Sequence, residues 1–111
     1  MNKLIFLDVD WVLNTNCTKN WNNITWNQNA CENLEYIISK TWAKIIISSS
    51  WRHNLWKLKQ TWEKNWLNWE YLVWVTPSKT NKGRDWEIEQ WLRWNSIYQN
   101  YTWIAIDDEY F

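Results

Sequence analysis

An apolar run that ends in acidic residues constrains the fold of this chain more than any other feature. Residues 3–8, KLIFLD, show no alternation of apolar and polar side chains. Such a run is typical of a strand that is buried on both faces, as in a parallel sheet. Asp8 and Asp10 lie two residues apart, so in an extended chain they point the same way. We therefore expect a buried strand that carries two carboxylates at its carboxyl end.

Similar apolar runs alternate with helical patterns along the rest of the chain. We expect three further strands, at residues 43–47, 71–76 and 102–106. We expect a polar loop over residues 14–28 and a first helix that begins at the capping residue Asn29. We expect two further helices over residues 54–65 and 86–95. This alternation predicts an α/β fold with a parallel sheet and helices on both of its faces. The length of 111 residues fits a single domain, residues 1–111.

Polar side chains follow every predicted strand. In a parallel sheet, ligands bind beyond the carboxyl ends of the strands, so these side chains should form one site. Crowded carboxylates repel each other unless a cation lies between them, and oxygen ligands suit a hard divalent ion such as Mg²⁺. We expect the site to contain Asp8 and Asp10 after the first strand, Ser48 and Ser49 after the second, Thr76, Lys79, Lys82 and Arg84 after the third, and Asp107 and Asp108 after the fourth.

Paired carboxylates, a metal ion, hydroxyl groups and cations are the parts that phosphoryl transfer requires. One carboxylate can attack phosphorus to form an aspartyl-phosphate, and a second acid can protonate the leaving oxygen and then activate water. A metal ion, a hydroxyl group and a Lys or Arg side chain would hold the phosphoryl oxygens. The sequence therefore predicts a phosphotransfer site at this edge of the sheet.

The order of the motifs resembles one known family. The segments FLDVDWVLN, SSSWR, VTP, EIEQWL and IDD are similar, in this order, to motifs of the haloacid dehalogenase (HAD) superfamily, and more narrowly of the small HAD domain in Swiss Army Knife RNA repair proteins. The resemblance runs from Lys3 to Glu109. It implies a three-layer Rossmann-like core with little or no cap. Because the family pattern continues past the fourth motif, it also implies that the sequence is truncated after Phe111.

The resemblance implies a role for each residue at the strand ends. Asp8 would be the nucleophile and Asp10 the general acid and base. The implied ligands of Mg²⁺ are Asp8, Asp10 (also through its backbone carbonyl), Asp107 and Asp108. The implied phosphate-binding residues are Ser48, Ser49, Lys82 and Arg84, with Lys79 as a further candidate for the cation in the same loop.

The implied activity is that of a Mg²⁺-dependent phosphohydrolase that works through an aspartyl-phosphate. An open site suits a large substrate, such as a nucleic-acid end or a phosphoprotein, and also admits a small phosphomonoester. The alternative is a catalytically inactive HAD-like module that binds a protein or nucleic-acid partner. Charge does not favour a nucleic acid, because 12 Lys and Arg residues balance 12 Asp and Glu residues.

Other classes of protein are not indicated. Cys17, Cys31 and the single histidine, His53, match no metal-ligand spacing, so we interpret the cysteines as reduced thiols. Acidic residues break the first apolar run too early for a signal peptide or a membrane span. We expect a cytoplasmic protein that does not enter a membrane.

The composition is unusual in two residue types. The chain has 14 tryptophans and one glycine, Gly83, whereas average usage would give roughly eight glycines. Turns with a positive φ normally use glycine, because it has no Cβ. In the family pattern, glycine is usual where this chain has Trp11, Trp42 and Trp74, and Trp66 stands where a turn follows a predicted helix.

The substitutions are specific, because Trp51 and Trp91 stand where the family itself favours tryptophan. We hypothesise that Trp11, Trp42, Trp66 and Trp74 arise from UGA codons that the native genetic code reads as glycine. If the chain exists as written, tryptophans in positive-φ turns would strain the fold, and Trp11 would obstruct the phosphate pocket.

Overall fold

The structure is a computed structural model that describes residues 2–15, 26–78 and 82–108. Its strands are β1 (Lys3–Leu7), β2 (Lys44–Ile47), β3 (Leu72–Val75) and β4 (Thr102–Ile106), and its helices are α1 (Gln28–Thr41), α2 (Leu55–Lys64) and α3 (Arg84–Trp94). The four strands form one parallel sheet in the order β3-β2-β1-β4. The predicted α/β fold with a parallel sheet is confirmed, and β1 lies between two neighbouring strands.

Helices cover both faces of the sheet, which gives three layers. Successive residues of β1 point to opposite faces. Ile5 and Leu7 pack in the cluster that includes side chains of α1 and α2, whereas Leu4 and Phe6 pack with α3. Burying each such side chain contributes about 1.5–3 kcal/mol to folding. The apolar run of β1 is therefore explained by burial on both sides. None of the helices in the described ranges is long and apolar enough to cross a membrane.

Two predictions about helix ends are wrong. Asn27, not Asn29, caps α1, because its side chain accepts a hydrogen bond from the backbone N–H of Ala30 at 2.9 Å. Arg84, predicted to lie in a loop, is the first residue of α3. Residues 16–25 of the predicted polar loop, with Cys17, lie outside the described residues, and so does Lys79.

Three turns place tryptophan in the left-handed conformation. The φ angles are 66° at Trp11, 57° at Trp42 and 64° at Trp66, and these are the non-glycine residues with positive φ in the described part of the chain. Their side chains are 62%, 71% and 91% exposed, so packing does little to hold them there. A bulky residue at such a φ costs roughly 1–3 kcal/mol. Trp74 differs, because it lies in β3 without a positive φ.

Cys31 is a free thiol on the inner side of α1. The residue is buried, and burial raises the pKa of the thiol to about 11, with a smaller contribution from the charge of Glu32. A thiol in this state is a weak nucleophile and a poor metal ligand. His53 is exposed in the short turn after β2, far in sequence from Cys31.

Candidate active site

The carboxyl ends of the strands bring polar residues to one edge of the sheet. The backbone N–H groups of Asp8, Ser48 and Thr76 each donate to the last carbonyl of a neighbouring strand, at 2.9, 2.8 and 2.8 Å. These bonds continue the sheet by one residue beyond each strand. Asp8, Ser48 and Thr76 therefore lie side by side at the carboxyl ends of β1, β2 and β3, as the sequence predicts.

Three carboxylates converge at this edge. One oxygen from each of Asp8, Asp107 and Asp108 lies within 4.8 Å of the other two. We call these residues the acidic cluster. Asp8 is 4% exposed, and Asp108 is open to solvent. Oxygen donors at this separation fit a hard divalent cation, so the acidic cluster is the set of residues that would hold Mg²⁺.

The acidic cluster makes Asp8 hard to ionise when no metal is bound. Burial, a hydrogen bond with Asp108 and the charge of Asp107 raise the pKa of Asp8 to about 8, against the lowering effects of Arg84 and of the Val9 N–H. The Val9 N–H donates to Oδ1 of Asp8 at 2.8 Å. A bound divalent cation would favour the ionised carboxylate, which is the form that can attack phosphorus.

Arg84 lies among the acids. Its Nε donates to Oδ2 of Asp107 at 2.9 Å, and its Nη2 lies 3.5 Å from Oδ1 of Asp8. Its Nη1 donates to Oε2 of Glu87 at 3.1 Å. Burial alone would lower the pKa of Arg84, but Asp8, Glu87 and Asp107 together raise it above its ordinary value. The guanidinium group is therefore a fixed positive charge next to Asp8.

Glu87 and Arg52 belong to the site although the sequence did not single them out. Glu87 is buried, and both of its carboxylate oxygens accept hydrogen bonds from Arg52, at 2.9 and 3.0 Å. Arg52 also donates to Oγ1 of Thr76 at 2.7 Å. Both residues stand in motifs that carry the family resemblance, SSSWR and EIEQWL. A signal was therefore present, but only the tertiary structure shows that the two charges pair.

The predicted phosphate-binding residues have different surroundings. Ser48 is buried next to Asp8 and donates its hydroxyl to Oε2 of Glu87 at 3.3 Å. Ser49 is buried and caps the following turn, accepting from the backbone N–H of Trp51 at 3.2 Å. Lys82 is exposed. Of the two predicted cations, Arg84 is thus the one in contact with Asp8.

Asp10 is not part of the acidic cluster, although the family resemblance implies that it binds the metal. Its Oδ1 accepts hydrogen bonds from Nε1 of Trp51 at 2.8 Å and from Nδ2 of Asn14 at 3.1 Å. Its carboxylate is not among the three that converge near Asp107. The two aspartates of the first motif therefore have separate environments, one surrounded by charges and one held by neutral donors.

The fold, together with the residues at the carboxyl ends of its strands, defines a class of protein. A parallel sheet with flanking helices, an aspartate pair after an inner strand and further acids after its neighbour form a small Rossmann-like HAD core. The family model described as the HAD domain in Swiss Army Knife RNA repair proteins matches residues 4–111, and the chain belongs to this family. Neither the curated proteins nor the solved structures gave a match.

Proposed function

We propose that this protein is a Mg²⁺-dependent phosphohydrolase that cleaves phosphomonoesters through an aspartyl-phosphate on Asp8. The observation that carries the proposal is the position of Asp8. It is buried at the end of an inner strand, within 4.8 Å of two further carboxylates and 3.5 Å from the Arg84 guanidinium. A carboxylate in such a place is unfavourable for stability alone, which supports a chemical role.

The reaction would proceed in two steps. In the first, an Asp8 oxygen bonds to phosphorus while the bond from phosphorus to the leaving oxygen breaks, and Asp10 gives that oxygen its proton. In the second, Asp10 takes a proton from water as the water oxygen attacks phosphorus, which frees Asp8 and releases inorganic phosphate. Mg²⁺, held by Asp8, Asp107 and Asp108, would neutralise charge on the phosphoryl oxygens.

Arg84 is the cation that we assign to the phosphate, ahead of Lys82. It contacts Asp8 directly, and its guanidinium is held in place by Asp107 and Glu87. A guanidinium group can bind two phosphoryl oxygens at once. Ser48, beside Asp8, is the hydroxyl that we assign to the same group, and the family name makes phosphorylated nucleic-acid ends the first substrates to test.

The test is hydrolysis of an aryl phosphate with and without Mg²⁺. We expect Mg²⁺-dependent turnover that Asp8→Asn reduces by about a thousandfold or more, as loss of a nucleophile does elsewhere. Phosphorylated oligonucleotides, a phosphopeptide and a small sugar phosphate, compared by kcat/KM, would identify the substrate class. Absence of turnover that depends on both Mg²⁺ and Asp8 would contradict the proposal and favour an inactive binding module.

We also propose that the native protein has glycine at the positions of Trp11, Trp42, Trp66 and Trp74. Three of these four residues have a positive φ and an exposed indole, which supports glycine at those turns. For Trp74 the support is the family pattern alone. Trp11 directly follows Asp10, so its replacement by glycine would remove an indole from the rim of the site.

The gene sequence tests this second proposal. UGA codons at the four positions, with UGG at the codons for Trp51 and Trp91, are the expected result. A mass measurement of the native protein is an independent check, because each exchange lowers the mass by the difference between the two residues. UGG at all four positions would overturn it.

A further inference from the structure

The carboxylate of Asp10 is held by two donors from different parts of the chain. Trp51 lies 41 residues further along the chain, in the short turn after β2, and its Nε1 donates to Oδ1 of Asp10 at 2.8 Å. Asn14 donates to the same oxygen at 3.1 Å from the turn that follows β1. The first contact bridges the ends of two neighbouring strands, so it depends on the folded sheet.

Trp51 is itself rigidly placed. It is 3% exposed, and its ring packs edge-on against Trp26, with centroids 5.4 Å apart and an angle of 73° between the rings. Its backbone N–H donates to the hydroxyl of Ser49. An indole has one N–H, which lies in the ring plane, so fixing the ring fixes the direction of the donated hydrogen bond.

Both donors use the same oxygen of Asp10. Because Oδ1 already accepts two N–H groups, a proton on this carboxyl group would sit on Oδ2. Oδ2 would then be the oxygen that exchanges a proton with the leaving group and with water. This step rests on the proposed function, in which Asp10 is the general acid and base.

We propose that Trp51 is a positioning residue, whose indole N–H orients the Asp10 carboxyl group so that Oδ2 delivers and receives the proton. Packing explains why the residue is large and apolar, but it does not explain a donor aimed at Asp10. The arrangement also gives a reason for tryptophan in the SSSWR segment. Phenylalanine would fill most of the space and would lack the N–H.

The first test is the substitution Trp51→Phe, which keeps the ring and removes the donor. General acid catalysis matters most when the leaving group is a poor one. We expect kcat/KM to fall by about tenfold or more for an alkyl phosphate, and much less for p-nitrophenyl phosphate, with KM little changed. In an Asp10→Ala background, Trp51→Phe should cause no further loss, because the two residues act as one unit.

Trp62→Phe is the matched control. Trp62 is buried in the same aromatic cluster, with its ring 6.2 Å from that of Trp26, and in the described part of the chain its Nε1 has no hydrogen-bond partner. The control makes the same chemical change without touching Asp10. Equal losses in both variants, without dependence on the leaving group, would overturn the positioning role and leave only packing.

A measurement independent of catalysis separates this proposal from the proposed function. The indole Nε1–H resonance of Trp51, assigned by its disappearance in Trp51→Phe, should shift in Asp10→Ala, whereas that of Trp62 should not. An unchanged Trp51 resonance would overturn the hydrogen bond whether or not the protein is active. A shifted resonance in a protein without turnover would overturn the catalytic role of Trp51 together with the proposed function.

Discussion

The strand-end site and the three left-handed turns both contain residues whose burial or backbone conformation costs folding free energy. Only at the site do ion pairs and hydrogen bonds offset this cost. At the site, the buried Glu87 is paired with Arg52 and Arg84, and the indole of Trp51 has an acceptor. At the turns, Trp11 and Trp66 combine a positive φ with an exposed side chain. Natural proteins keep strain where function needs it. Strain without compensation therefore supports the proposal that the native protein has glycine at these turns.

The largest effect expected from this comparison is at Glu87. Glu87→Ala would leave the buried Arg52 without its carboxylate partner and would remove one of the three acidic partners of Arg84. We therefore expect it to lower the free energy of unfolding by about 3–5 kcal/mol. Urea denaturation measures the change. Glu89→Ala is a matched control in the same helix, because Glu89 pairs with Arg93 and both side chains are more than half exposed. Glu89→Ala should lower the free energy of unfolding by about 0.5 kcal/mol or less. Similar losses for the two variants would contradict the inference that buried ion pairs compensate for the charges at the site.

The next largest effect is a pH dependence of stability at Asp8, where the positive charge of the site only partly offsets the buried carboxylates. Of the three carboxylates of the acidic cluster, Asp8 and Asp107 contact Arg84, and the pKa of Asp8 is raised from 3.8 to about 8. Between these values the folded protein holds a proton that the unfolded chain has lost, so stability falls as the pH rises. Without metal, this loss at Asp8 should be about 2 kcal/mol from about pH 6 to about pH 8.

Asp8→Asn isolates this contribution. Urea denaturation in the presence of a chelator should show the wild-type chain losing more stability over this pH range than Asp8→Asn. Adding Mg²⁺ should stabilise the wild-type chain more at the higher pH, because the metal competes with the proton. Parallel pH profiles for the two proteins would show that Asp8 ionises normally.

The smallest effect per residue is expected at the turns. Trp11→Gly, Trp42→Gly and Trp66→Gly should each raise the free energy of unfolding by about 1 kcal/mol, because relief of the left-handed strain exceeds the entropy cost of glycine. Trp56→Gly is the control, since Trp56 is 71% exposed but lies in α2 with an ordinary helical φ. Thermal unfolding should show stabilisation for the first three and destabilisation for the control. Loss of stability at the turns would remove the distinction between the two regions.

The sequence predicts most of this fold because the signals are local. Each strand is an apolar run, and Leu34 and Ile38 are buried on α1 at the spacing that the helical pattern requires. The cap at Asn27 was missed because Asn29 offers the same side chain two residues later. Local chemistry does not distinguish the two, whereas in the folded chain Asn27 follows the buried Trp26 and its N–H donates to the Leu13 carbonyl.

The sequence predicted which acidic residues form the candidate site, but not which side chains pair with one another there. Asp8, Asp107 and Asp108 follow their strands, and the rule for parallel sheets brings them together. The pairing of Arg52 with Glu87 joins residues 35 apart in the chain, and the bond from Trp51 to Asp10 joins residues 41 apart. No periodicity encodes such contacts, because they depend on the register of β1 against β2 and on how α3 packs.

The buried thiol of Cys31 offers a way to follow unfolding in a protein whose 14 tryptophans give overlapping fluorescence. With a pKa of about 11, the thiol is almost entirely protonated near neutral pH, and burial keeps alkylating reagents away from it. Labelling should therefore occur mainly when the chain opens. In a Cys17→Ser background, the rate of alkylation at Cys31 would report how often each variant exposes its core under native conditions.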